Sequence, residues 1–105
     1  MKKNYTGVFL KNQKHMTWNY GFPLQYPNGV KVGDKVDLTV VGEYKDNEVE
    51  CLIVKLGELE KQPSGTLLHI TTKVYEGGKP VMSGLRATKK GYQEIENYTI
   101  KGIWE

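Results

Sequence analysis

Cysteine is almost missing from this 105-residue chain: Cys51 stands alone. A single thiol forms no internal disulfide and no cysteine-based zinc site, and it fits a reducing compartment such as the cytoplasm. In its strand it is expected to be a small buried hydrophobe. Arginine is as scarce, Arg86 being one of 15 basic residues set against 12 acidic ones, for a net charge of +3. So mild a balance permits an anionic ligand, and the missing dense basic cluster argues against a duplex-DNA partner. No apolar run nears the ~20 residues of a membrane span. The basic opening Met1-Lys2-Lys3-Asn4-Tyr5 is followed only by Val8-Phe9-Leu10 before Lys11. That falls short of the roughly 7–15 apolar residues of a signal peptide, so neither membrane nor secretion is expected. Sustained helical periodicity, low-complexity segments and a long linker are lacking too, which leaves one domain over residues 1–105.

What is present reads as strands. Residues 5–10 are β-branched and aromatic, and residues 15–20 alternate, putting His15, Thr17 and Asn19 on one face and Met16, Trp18 and Tyr20 on the other. Residues 21–33, with Pro23, Pro27 and Asn28-Gly29, form a loop. Residues 36–44, with a bulge expected at Gly42, and 49–56 make a hairpin across Lys45-Asp46-Asn47-Glu48. The second of these is apolar on both faces and is expected inside the sheet. Residues 66–74 and 98–104 are two further strands, and one short helix fits between Pro80 and Gly91. The fold class is α+β, mostly β.

The chain has two histidines, and both stand in the same pattern: His15-Met16-Thr17 and His69-Ile70-Thr71. In a strand the His and Thr of each triplet share a face, and the residue between them turns to the core. Each triplet therefore presents an imidazole beside a hydroxyl. Cleaving a phosphodiester needs a base on the attacking oxygen and an acid on the leaving one. Two imidazoles with ordinary pKa near ~6.5 can divide those roles. Two hydroxyls can donate to the non-bridging oxygens where charge builds. Nothing in this scheme calls for a metal or other cofactor. A lone His-x-Thr is weak; the recurrence in both triplets carries the reading.

The triplets resemble the paired His-x-Thr/Ser motifs of the 2H phosphoesterase superfamily. The second half is most similar to the tRNA-ligase-type cyclic phosphodiesterase domains, through Leu67-Leu68-His69-Ile70-Thr71, Gly78-Lys79-Pro80-Val81-Met82-Ser83 and Tyr98-Thr99-Ile100-Lys101-Gly102-Ile103. The first half is similar through residues 5–10 and 15–17. The resemblance implies a two-lobed sheet with a central groove and few short helices, each lobe placing one triplet in the groove. It implies His15 and His69 as the catalytic pair, His69 the base and His15 the acid, with Thr17 and Thr71 binding phosphate. The implied substrate is a cyclic nucleotide or a 2′,3′-cyclic RNA end. Similarity to phage members implies destruction of an immune second messenger in the host cytoplasm.

Around the triplets, Trp18, Tyr20, Phe22 and Tyr26 offer rings on which a base could stack. Alternation turns Trp18 and Tyr20 to the core, which makes Tyr26 the better candidate, and Tyr75 is a candidate for reaching the groove. Lys79 and Ser83, in the turn similar to the family's, are candidates for holding substrate, and Lys73 and Arg86 for contacting phosphate. Gly7, Gly21 and Gly84 need no role beyond turns and bulges. The rival readings are a sponge that binds a nucleotide or RNA in the same groove without turnover, and a β-rich structural protein.

Overall fold

The computed structural model describes residues 4–12, 14–21 and 23–105. The chain is mostly β with one helix: β1 (Tyr5–Leu10), β2 (His15–Tyr20), β3 (Lys35–Lys45), β4 (Val49–Lys55), β5 (His69–Val74), α1 (Pro80–Lys90) and β6 (Gln93–Trp104). The strands close into one barrel in the order β1-β2-β5-β4-β3-β6, every neighbour antiparallel, with β6 returning to β1. Closure gives every described strand a neighbour on both sides.

Alternation decides what fills the barrel. Val8, Met16, Leu38, Val40, Val54, Leu68, Ile70 and Trp104 form its fully buried interior. β4 is apolar on both faces because both are covered: Leu52 and Val54 face the barrel interior, while Val49, Cys51 and Ile53 meet Ala87 and Met82 of α1. Cys51 is thus buried, as expected, and burial pushes its thiol up to about 11. α1 begins at Pro80, whose missing N–H costs nothing at a helix start. It is tied to the β3–β4 turn by Arg86, which donates to Asp46 and Glu48 at 2.9 Å each. Arg86, a candidate phosphate contact by sequence, is therefore spent on anchoring the helix. Asp46 also accepts from Tyr44 and from the N–H groups of Glu48 and Val49, which together hold its carboxyl well below the usual range.

Two strand bounds differ from expectation by more than one residue. β5 begins at His69, because residues 61–68 are taken up by a local bridge between Lys61 and Leu67. β6 begins at Gln93, its polar first half being held in strand by β3, where Gly42 pairs with Glu94 and Glu43 with Gln93. The pairing overrides the weak propensity of Gln, Glu and Asn. The bulge expected at Gly42 is present as a register shift on both sides of β3. Among the described residues no helix is long and apolar enough to cross a membrane.

Candidate active site

β2 and β5 meet through one backbone bridge, Met16 to Ile70, the central residues of the two His-x-Thr triplets. Both side chains are buried in the barrel, each stabilising the fold by roughly 1.5–3 kcal/mol. That burial fixes the opposite orientation for their neighbours. Extending the antiparallel register from the bridge sets His15 across from Thr71 and Thr17 across from His69. Directly opposed residues have Cβ atoms about 5 Å apart and diagonal ones ~7–8 Å apart, so the imidazoles lie on one diagonal of a small quartet and the hydroxyls on the other. All four side chains line one open cavity of about 610 Å³.

His69 is held on two sides. Its Nδ1 lies 2.7 Å from the Leu67 carbonyl oxygen. A carbonyl only accepts, so Nδ1 carries the hydrogen and the neutral ring keeps its lone pair on Nε2. The Leu67 N–H in turn donates to Thr88 Oγ1 at 2.9 Å, and the Thr88 hydroxyl donates to the Gly84 carbonyl at 2.7 Å. Gly84 sits against the imidazole itself. A Cβ there would come within 2.1 Å of Cε1 and 2.5 Å of both ring nitrogens. Gly84 is thus part of the seat of His69, a role the sequence does not announce. Burial pushes the His69 pKa down, the Leu67 contact opposes this, and the nearby charge of His15 pushes it down further.

His15 is flanked by two rings of β1. Phe9, its cross-strand partner, stacks at 6.2 Å with 17° between planes, and Tyr5 lies at 5.2 Å. Burial lowers its pKa, and the Glu105 carboxylate pulls it back up. Thr71 Oγ1 lies 2.9 Å from Ser83 Oγ and 3.3 Å from the Pro80 carbonyl, to which Ser83 also donates at 3.0 Å. Ser83 can redirect its proton to Thr71, which frees the Thr71 hydroxyl to donate into the cavity.

The other sequence candidates lie elsewhere. Tyr26 packs edge-on against Trp104 at 6.2 Å, because the loop it belongs to folds back over the core. Tyr75 is on the outer surface, donating to Glu50. Lys79 is exposed just ahead of α1 and is not among the residues lining the cavity. Ser83 is fully buried behind Thr71 and supports it instead of facing a ligand. Phe22, grouped with these aromatics in the sequence, lies outside the described residues.

Several lining residues carry no signal in the sequence. Lys14, next to His15, spans to the Thr72 carbonyl at 3.1 Å, which sets its ammonium at the rim. Gln62 donates to the Thr17 carbonyl at 2.9 Å and accepts from Ser64, fixing the 61–68 segment beside β2. Tyr20, Val81 and Leu85 also line the cavity, and so does Asn19, which alternation places on the His15 face. Among the described residues no group of three or more His, Cys, Asp or Glu side chains converges. The chain matches no family model, no curated protein and no solved structure.

Proposed function

We propose that the protein is a phosphodiesterase that hydrolyses a cyclic phosphate or a cyclic (oligo)nucleotide by acid–base chemistry. In this reading the barrel is a reduced two-lobed 2H-like sheet whose lobes meet along the β2–β5 seam, and the cavity is the groove between them. One observation carries it: the bridge between Met16 and Ile70, which juxtaposes two triplets distant in sequence.

The phosphate sits among the quartet. His69 Nε2 takes a proton from a water, whose oxygen bonds to phosphorus. The bond to the leaving oxygen breaks, and His15 returns a proton to that oxygen. Thr17 and Thr71 donate to the non-bridging oxygens as negative charge grows on them, and the Lys14 ammonium offsets part of it. The products are a monoester and a free hydroxyl when the substrate is a 2′,3′-cyclic phosphate. A reducing cytoplasm suits a protein whose one thiol is buried.

The test is turnover of 2′,3′-cyclic mononucleotides and cyclic di- and trinucleotides in excess EDTA. Hydrolysis is expected, with His15→Ala and His69→Ala each losing about 10²–10⁴-fold while the circular dichroism spectrum is kept. Binding without turnover indicates the sponge, and no binding at all indicates a structural protein.

A further inference from the structure

Strand alternation puts Tyr20 on the side of Met16 and Trp18, in the core. Instead Tyr20 is 63% exposed and lines the cavity together with Asn19. The cause is in the pairing with β1. Thr6 pairs with Asn19, and the next residue, Gly7, pairs with Thr17, so Trp18 is the extra residue of a β-bulge. Gly7 permits the close approach, since a Cβ there would fall 2.2 Å from the Met16 carbonyl oxygen. A bulge adds a residue to one strand and re-aims the side chains beyond it. Here it turns Tyr20 to the face of Tyr5 and His15, which a regular strand cannot do.

Tyr20 is backed by the Tyr5 ring at 5.9 Å. From α1 the same cavity is lined by Val81 and Leu85, four residues apart on one helix face and 60% and 53% exposed. Exposed apolar side chains gathered in a concave site call for an apolar ligand surface. Asn19 also borders the cavity. A phosphate held by the quartet leaves most of the 610 Å³ unfilled.

We propose that this wall is a nucleobase subsite. The base stacks on Tyr20 and packs on Val81 and Leu85. The substrate is therefore a nucleotide with its base near the scissile phosphate, and not a small phosphodiester without one. The link to a scissile phosphate rests on the phosphodiesterase reading; the base site itself is a statement about binding.

Calorimetric titration with AMP and with ribose 5-phosphate, which differ only in the base, tests it without requiring turnover. AMP is expected to bind about tenfold more tightly, as one stacked base provides. Tyr20→Leu removes that preference and leaves ribose 5-phosphate binding unchanged; Leu85→Asn, on the other wall, weakens it. Equal affinities in the unmodified protein, no binding of either compound, or a preference that survives Tyr20→Leu overturns the subsite. Hydrolysis of 2′,3′-cyclic AMP, measured in parallel, separates the two claims. An AMP preference without turnover sinks the catalytic reading and keeps the base site; turnover without the preference does the reverse.

Discussion

His69 and His15 are assigned opposite protonation states, and their surroundings set the pH at which both states coexist. The base must be neutral, so activity rises as pH climbs through the His69 pKa. The acid must be charged, so activity falls as pH climbs through the His15 pKa. Burial lowers both below their ordinary value near ~6.5. The two limbs are not independent, since the charge of His15 is felt by the His69 ring. The kcat/KM profile, which reports the free enzyme, is expected to peak on the acid side of ~6.5 and to fall between pH 7 and 8. Glu105 raises the His15 pKa, so Glu105→Gln moves the falling limb to lower pH. A profile that is level or rising between pH 7 and 8 contradicts the assigned roles.

α1 matters to the site more than its short length suggests. Ser83 holds Thr71, Gly84 seats His69, and Thr88 fixes the peptide whose carbonyl sets the His69 tautomer, all within two turns. Gly84→Ala gains about 0.5–1 kcal/mol of helix propensity, and an exposed helix position would show that gain. Here the added methyl collides with the imidazole. The expected outcome is a kcat/KM lower by about 10²-fold, with a thermal midpoint no higher than the unmodified protein's. Thr88→Val, which removes one hydrogen bond to Leu67, is expected to destabilise by about 1 kcal/mol and to let ¹⁵N shifts of His69 report a mixture of tautomers. Steady-state kinetics with a melting curve, and histidine NMR, check these two variants.

The elements themselves were largely legible. β1 and β2 follow from β-branched and alternating residues, β4 from an apolar run covered on both faces, and α1 from Pro80 and Gly91. The histidine and threonine pairs were legible for the same local reason. Tyr20 was not, because the bulge that turns it arises from the register with β1 and leaves no mark on residues 15–20. Gly84 was not, because a glycine in a short helix looks like filler until a ring from another strand is set against it.

The barrel as a whole was not foreseen: its closure rests on β1 pairing with β6 and on β2 pairing with β5, contacts between segments distant along the chain with no local signature. The β2–β5 seam alone brings one histidine from near the start and one from past the middle to a common cavity, so the whole functional account stands on two halves meeting there. The most direct measurement is an NMR titration of both imidazoles with inorganic phosphate. His15 and His69 are expected to shift along one binding curve, with both pKa values raised by the bound anion. If only one ring responds, or if the two respond with different midpoints, the histidines do not share a phosphate and the account is wrong.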